Sequence, residues 1–324
     1  GGKKTSPLFG VWARMKAHLL TGDTDSVLSR RAVAYRRRMK PIIKLIGPLF
    51  LSCKQRIESR AKLPEQPVIY VSNHHFKDDA AGTALACKRN AWFLFGSLPQ
   101  FFNSFDGISA WLNGVILINR NNKKSKQRAY NLCVDALNTG VDIIVYPEGV
   151  WNKTPNKPIL DLWPGFYRLS KETGCPVVPV IHYKREFHST NKKDIIHTIV
   201  DNPIDVSKMD ELEAIRVVRD RMATLYWNLM EKYGQSTRTE ELRGFKSASE
   251  CWEHILEKLV KTVKRYDSSI ETKSDYRRQD IHEKFEALKD IVSVKNISAT
   301  NAKIIVKLKE QHKALHDNDF QRRF

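Results

Sequence analysis

The stretch PVIYVSNHHFKDDA, residues 67–80, joins a short apolar run to a cluster of two histidines and two aspartates. The run PVIYVS is rich in the β-branched and aromatic residues that favour strands. The polar cluster follows it directly, at the point where a strand would end and a helix would begin. This order predicts a buried strand, a turn that holds His74, and a helix that starts close to Asp79.

Five further apolar runs lie downstream of this stretch, and helix-length segments separate most of them. We predict strands in WFLFGS (92–97), VILINR (115–120), VDIIVYP (141–147), PVVPVIHY (176–183) and DIIHTIV (194–200). Strands that are apolar throughout and alternate with helices are typical of a mainly parallel sheet. The predicted fold class is therefore α/β, a mostly parallel sheet covered by helices on both faces, with helical additions at the amino-terminal and carboxyl-terminal sides.

The helices between and after these strands have clear sequence signals. We predict helices in KKSKQRAYNLCVDALNTG (123–140), in GFYRLSKETG (165–174), and in ELEAIRVVRDRMATLYWNLMEKY (211–233). Gly174 stands where a glycine commonly ends a helix. The third helix is predicted to bury one apolar face, formed by Leu212, Ile215, Val218, Met222, Leu225 and Leu229.

The pattern divides the 324 residues into three regions. Residues 1–53 are predicted to form a basic amphipathic helical region, residues 54–235 the α/β domain, and residues 236–324 a helical extension. The five cysteines are widely spaced and odd in number, so they indicate no disulfide framework and favour a reducing compartment.

Positive charge is concentrated towards the amino terminus, where residues 1–66 carry fifteen Lys or Arg and four Asp or Glu. Seven of these cations accompany an apolar carboxyl-terminal half in SVLSRRAVAYRRRMKPIIKLIGPLF, residues 26–50. The apolar stretch PIIKLIGPLFLSC, residues 41–53, is too short to span a bilayer. Pro41 and Pro48 are expected to limit its helical continuity. Such a helix suits an anionic membrane surface, and it equally suits packing on the protein's own core.

These features define the expected partners. We predict an anionic membrane surface as a partner and a cytoplasmic protein bound peripherally to the inner face of a membrane. Nucleic acid is not predicted as a partner, because the sequence shows no zinc finger, RNA-recognition signature or helix-turn-helix pattern.

Chemically active residues fall at the predicted ends of several strands, where ligands gather in open parallel sheets. A histidine such as His74 can act as a general base near neutral pH. Asp79, about one helical turn later, can bind the other ring nitrogen and fix its tautomer. Arg120 ends the run VILINR with a guanidinium suited to phosphate or carboxylate, and Glu148 and Gly149 follow the run VDIIVYP.

Two other interpretations of the His–Asp cluster stay open. His74 and His75 with the two aspartates could hold a metal in a hydrolase, although adjacent histidines on a strand point to opposite faces. The aspartates could also simply cap a helix. We predict no metal site and no cofactor. His182, His188 and His197 show no partner pattern and are predicted to be ordinary strand or loop residues.

Four blocks in this order resemble those of the glycerolipid acyltransferase superfamily, which includes the lysophosphatidic acid acyltransferases. The blocks are His74-x4-Asp79, Arg120 after GVILIN, Pro147-Glu148-Gly149, and VVPVI at 177–181. The resemblance covers roughly residues 54–235. A lone H-x4-D spacing is weak evidence, whereas four ordered blocks at strand ends are much stronger.

The resemblance implies an acyltransferase of phospholipid biosynthesis. Such an enzyme moves a fatty acyl group from acyl-coenzyme A or an acyl carrier protein to a hydroxyl of a lysophospholipid such as lysophosphatidic acid. It further implies that His74 is the general base and that Asp79 orients it. Arg120, Glu148 and Gly149 match the blocks that hold the acceptor, and the acyl thioester is a substrate rather than a cofactor.

The third block departs from the family's Gly-Thr-Arg-Ser, because here Gly149 is followed by Val150, Trp151 and Asn152. Losing an arginine removes a bidentate phosphate partner, for which Lys153 and Lys157 are candidate replacements. Trp151 is predicted to bind substrate by stacking on a sugar or covering a lipid tail. The alternative function is therefore acyl transfer to a non-phosphate acceptor, a glycolipid or an amine, and a metal-dependent hydrolase ranks below both.

Overall fold

The computed structural model describes residues 28–76, 78–96, 101, 105–120, 122–152, 157–185, 194–235, 244–247, 249–251, 253–254 and 257. The predicted extension, residues 236–324, lies almost entirely outside these residues. Within them, no helix is both long enough and apolar enough to cross a membrane.

The described strands form one seven-stranded sheet. They are β1 (Lys54–Arg60), β2 (Ile69–Ser72), β3 (Ala91–Phe95), β4 (Val115–Leu117), β5 (Asp142–Val145), β6 (Val177–Tyr183) and β7 (Ile195–Val200). Their spatial order is β1-β7-β6-β2-β5-β3-β4, and each pairing is parallel except that of β6 with β7. The strands β2, β5 and β6 are buried at every position. The predicted α/β class with a mostly parallel sheet is confirmed.

The first strand, β1, was not predicted from the sequence. β1 has the sequence KQRIESR, in which most positions are charged or polar and several are exposed. It lies at the edge of the sheet and pairs only with β7 among the described strands. An edge strand of this kind lacks the apolar run by which the other six were predicted.

Helices cover both faces of the sheet. They are α1 (Arg30–Ile46), followed by a 3₁₀ turn (Gly47–Phe50), then α2 (Asp79–Ala86), α3 (Phe105–Asn113), α4 (Lys123–Asn138), α5 (Gly165–Thr173) and α6 (Glu211–Tyr233). Side chains alternate across β2, so Ile69 and Val71 pack in the core beneath α4, α5 and α6. Val68 and Tyr70 pack in the opposite core with residues of α2 and α3.

Two helix details bear on the predictions. Gly174 ends α5 in the left-handed conformation, at φ 69°, as its position indicated. The buried face of α6 comprises Ala214, Val218, Met222, Leu225 and Leu229. Leu212 is 79% exposed, which corrects its predicted place on that face. It precedes Val218 by six residues and so lies about 120° around a helix of 3.6 residues per turn.

Helix α1 buries two of its cations against the domain. It runs through Pro41 and ends at Ile46, while Pro48 lies in the following 3₁₀ turn. Arg36 and Lys40 are buried, and burial lowers the pKa of both. Arg36 places its guanidinium 4.9 Å from the Trp92 ring and 5.5 Å from the Trp111 ring. These two cations therefore pack on the protein's own core, whereas Arg31, Arg37 and Arg38 are exposed.

Candidate active site

The predicted histidine and aspartate meet just past the carboxyl end of β2. His74 lies two residues beyond Ser72, and Asp79 begins α2. The His74 Nδ1 atom is 2.8 Å from Asp79 Oδ2. The Asp79 side chain is fully buried, whereas the His74 side chain is 25% exposed. The imidazole is thus fixed from the protein side and open on the other.

The carboxylate of Asp79 also shapes the turn that carries His74. The backbone N–H groups of His75 and Phe76 donate to Oδ2 at 2.9 Å and 3.2 Å. One oxygen therefore accepts the ring of His74 and two backbone donors at the beginning of α2, where the helix dipole also favours negative charge. Removing this carboxylate would release both the ring and the turn.

Glu148 holds the backbone of His74. Its Oε1 accepts from His74 N at 2.9 Å, its Oε2 accepts from Leu160 N at 2.8 Å, and the residue is 2% exposed. Burial raises the pKa of Glu148 to about 8. The nearby charge of Asp79 raises this pKa further, whereas the two backbone donors lower it. Glu148 therefore binds the backbone of the site itself, and its predicted contact with an acceptor stays a prediction.

The turn formed by residues 148–152 grips His74 a second time. Asn152 N donates to His74 O at 2.6 Å, so both backbone hydrogen-bonding groups of His74 are engaged by this turn. Gly149 has φ 72°, a left-handed conformation that a side chain would strain. The glycine of the third block is thus explained by the shape of the turn.

Two aromatic rings flank the imidazole. The ring of Tyr146 lies 4.7 Å from that of His74, and the ring of Trp151 lies 5.6 Å away and edge-on. Tyr146 donates its hydroxyl to Thr83 Oγ1 at 3.0 Å. Trp151, predicted to bind substrate, is partly exposed beside the open side of His74.

Arg120 lies across the same turn. Its Nη1 donates to Gly149 O at 2.6 Å, and the residue is exposed. A Cβ atom at Gly96 would lie 2.5 Å from Arg120 Nε, so the absence of a side chain there leaves room for the guanidinium. The structure therefore brings His74, Asp79, Glu148, Gly149, Trp151 and Arg120 to one edge of the sheet.

A buried histidine behind the site was missed at the sequence level. His182 on β6 is fully buried, with Nε2 2.7 Å from Thr83 Oγ1 and Nδ1 2.9 Å from Thr198 Oγ1. Thr83 in turn donates to Asp79 O at 2.9 Å. Burial lowers the pKa of His182 to about 4, so its ring is neutral at neutral pH. Its partners are distant in sequence, and no local spacing signals them.

The neighbouring histidine is engaged elsewhere. The His75 ring stacks on Tyr226 with centroids 5.0 Å apart, and its Nδ1 is 2.9 Å from Asn73 Nδ2. In the part of the chain that the structure describes, no three His, Cys, Asp or Glu side chains are grouped to hold a metal ion.

Three comparisons with known proteins each found a similarity. Residues 54–183 match the family model described as Acyltransferase. A 1-acyl-sn-glycerol-3-phosphate acyltransferase from Chlamydomonas reinhardtii is 26% identical over 117 residues, which are 36% of this chain and 34% of that protein. The chain thus matches about a third of that relative's length. The crystal structure of the 1-acyl-sn-glycerophosphate acyltransferase from Thermotoga maritima aligns over 71% of this chain and 97% of its own, with 17% identity and a TM-score of 0.49.

Proposed function

We propose, from the match of residues 54–183 to the acyltransferase family model, that the protein transfers a fatty acyl group from an acyl thioester to a hydroxyl of a lysophospholipid. The observation that carries the proposal is the 2.8 Å contact between His74 Nδ1 and Asp79 Oδ2 at the open edge of the sheet. This pairing leaves Nε2 of His74 as the nitrogen that can accept a proton.

The proposed reaction is a direct transfer. His74 Nε2 takes the proton of the acceptor hydroxyl, and the hydroxyl oxygen attacks the thioester carbonyl carbon. The carbon–sulfur bond then breaks, the proton passes from His74 to the departing thiolate, and the products are an ester and a free thiol. A positioned base of this kind contributes about 10²–10⁴-fold in rate.

Rigid placement of His74 supports this role. Asp79 binds the ring, while Glu148 and Asn152 bind the backbone N–H and C=O of the same residue. Because His74 is held at three points, one on its ring and two on its backbone, little reorganisation is needed when substrate arrives. We propose that Glu148 acts as a positioning residue.

For the acceptor, we favour a phosphate-bearing lysophospholipid such as lysophosphatidic acid. Arg120 carries an exposed guanidinium against the turn that holds His74, and guanidinium suits phosphate. The donor is acyl-coenzyme A or an acyl carrier protein. A neutral glycolipid or an amine is the second candidate acceptor, and the position of Trp151 beside His74 favours it.

Helix α1 supports binding to a membrane. The exposed apolar residues of α1 are Ile42, Leu45 and Ile46, and Leu49 of the following 3₁₀ turn extends them; Leu45 and Leu49 are 79% and 78% exposed. At about 100° per residue, the exposed Arg31 and Arg38 lie on the same side of the helix. Apolar residues flanked by cations suit an anionic lipid surface. We propose a protein of the cytoplasm that binds the inner face of a membrane peripherally.

The acyl-transfer proposal is tested with purified protein, acyl-coenzyme A and lysophosphatidic acid in vesicles. We expect phosphatidic acid and free coenzyme A thiol to form in equal amounts, with no loss of rate when a chelator is added. Thiol release with free fatty acid as the only other product would show a hydrolase instead. Faster transfer to a neutral monoacyl lipid would favour the second candidate acceptor.

A further inference from the structure

Lys157, on the segment that follows the 148–152 turn, has a side-chain nitrogen without a hydrogen-bond partner among the described residues. The Nζ atom of Lys157 is shielded from solvent and makes no hydrogen bond within the described structure. An ammonium removed from water without a partner is unfavourable by several kcal/mol in general. Such a group is stabilised when an anion binds beside it.

The backbone around Lys157 is fixed to the turn that grips His74. Asn152 Nδ2 donates to Lys157 O at 2.8 Å, and Asn152 N donates to His74 O at 2.6 Å. Three residues after Lys157, Leu160 N donates to Glu148 Oε2 at 2.8 Å. Lys157 is therefore two hydrogen bonds from His74, on a segment tied to the 148–152 turn at both of its ends.

The nearest carboxylates in this network are already engaged. Glu148 accepts the backbone N–H groups of His74 and Leu160. Asp79 Oδ2 accepts the ring of His74 and the backbone N–H of His75 and Phe76. Meanwhile Arg120 contributes a second cation against the same turn through its bond to Gly149 O. Lys157 and Arg120 thus contribute two cations on segments that are hydrogen-bonded to the 148–152 turn.

We propose that the Lys157 ammonium binds a phosphate group of a substrate next to the 148–152 turn. The inference rests on the proposed function and deepens it, because it assigns a phosphate-binding residue outside the third block. A lysine binds phosphate as a compact point charge. Phosphate can come from the acceptor, as a phosphomonoester, or from the coenzyme A part of the donor.

Kinetics with four substrates distinguish these sources. The variants are Lys157→Met, which removes the charge and keeps the backbone bond to Asn152, and Lys208→Met as the matched control at an exposed lysine. Each is assayed with lysophosphatidic acid or a neutral monoacylglycerol as acceptor, and with acyl-coenzyme A or phosphate-free acyl-pantetheine as donor.

If Lys157 holds the acceptor phosphate, Lys157→Met raises KM for lysophosphatidic acid by about 10–100-fold, the loss expected for a bond to a charged group, and leaves KM for monoacylglycerol unchanged. If it holds a donor phosphate, the rise falls on acyl-coenzyme A and spares acyl-pantetheine. Lys208→Met should match the wild type. Unchanged KM values for all four substrates, or an equal rise for all four, would overturn the inference.

A binding measurement keeps this inference separate from the proposed reaction. Short-chain lysophosphatidic acid and coenzyme A should each be compared with their phosphate-free analogues for their effect on Tm. We expect at least one phosphate-bearing ligand to raise the Tm of the wild type and of Lys208→Met more than that of Lys157→Met. Equal Tm shifts in all three proteins would contradict the role of Lys157, whatever the outcome of the activity assays. Absence of acyl transfer in the wild type would instead contradict the proposed function.

Discussion

The turn that holds His74 and the helix α1 differ in how they place charged and apolar side chains. At the turn, buried carboxylates are matched by specific partners, as when Asp79 accepts a ring nitrogen and two backbone donors. On α1, the cations Arg36 and Lys40 face the protein, while Leu45, and Leu49 in the turn that follows, are exposed. The first arrangement fixes one histidine, and the second leaves an apolar surface exposed within the described structure.

The contrast shows that buried charged groups have different roles in the two regions. Buried charge at the turn sets the position and tautomer of a reacting group. Buried charge on α1 ties the helix to the domain, since Lys40 donates to Ala84 O at the end of α2, the helix that Asp79 begins. Specific changes in each region should therefore have separable effects.

The largest effect is expected from Asp79→Asn. An amide oxygen in the place of Oδ2 can still accept the His74 ring and the two backbone N–H groups, but the amide lacks the negative charge that stabilises the imidazolium formed during proton transfer. The rate of acyl transfer should fall by about 10³–10⁴-fold, as for other histidine-orienting aspartates, with little change in vesicle binding. A variant that kept more than a tenth of the wild-type rate would show that the pair is structural.

Glu148→Gln tests whether the buried negative charge of Glu148 lowers the stability of the fold. Because burial raises the folded-state pKa of Glu148 to about 8, above its ordinary 4.5, its protonation favours the folded state. Its contribution to stability is full below about pH 4.5 and is lost as pH rises to about 8. Glutamine does not titrate, but it can accept only one of the two backbone donors, a loss of about 1–3 kcal/mol at any pH.

Urea unfolding of both proteins at a series of pH values measures this effect. The free energy of unfolding of the wild type relative to Glu148→Gln should decrease steadily from pH 5 to pH 8. A difference that stayed constant with pH would mean that Glu148 is not forced towards its neutral form by burial.

On α1, Leu45→Ser tests the exposed apolar face. If this leucine inserts into lipid, the change removes about 1.5–3 kcal/mol of apolar burial and weakens sedimentation with anionic vesicles by about tenfold or more. Val33→Ala on the buried side of the same helix is the matched control, which should lower stability and leave vesicle binding intact. Equal vesicle binding by the wild type and Leu45→Ser would place this face against another partner.

The smallest effect is expected from the cations. Arg38→Glu on the exposed side should weaken binding to anionic vesicles by about 1 kcal/mol per charge near the surface, and added salt should weaken it in the same way. Neutral vesicles should not distinguish this variant from the wild type. If the change mattered equally on neutral vesicles, the contribution of Arg38 would not be electrostatic attraction to lipid.

Sequence patterns predicted those features whose cause is local. The apolar runs around β2, β5 and β6 indicated the sheet, and the four-residue gap between His74 and Asp79 matches one helical turn. Patterns failed where the partner is distant in sequence. No local pattern near Arg36 predicts that its guanidinium lies over the rings of Trp92 and Trp111. Likewise, no local pattern near His182 predicts its contact with Thr83.

Glu148 illustrates the same limit within the site. Its block placed it correctly at the edge of the sheet, but a sequence cannot show that both carboxylate oxygens bind backbone N–H groups. β1 failed for a different reason, since an exposed edge strand needs no apolar run. The position of these residues at the edge of the sheet could thus be predicted from sequence, whereas the contacts among them required coordinates.

The most direct test of the central claim compares His74→Ala with His75→Ala in single-turnover acyl transfer to lysophosphatidic acid. Both histidines lie in the same turn. Only the His74 ring contacts Asp79, while the His75 ring stacks on Tyr226. We expect His74→Ala to lower the rate constant by about 10²–10⁴-fold with an unchanged Tm, and His75→Ala to cause a much smaller loss. Equal losses in the two variants, or full activity in His74→Ala, would contradict the assignment of His74 as the base.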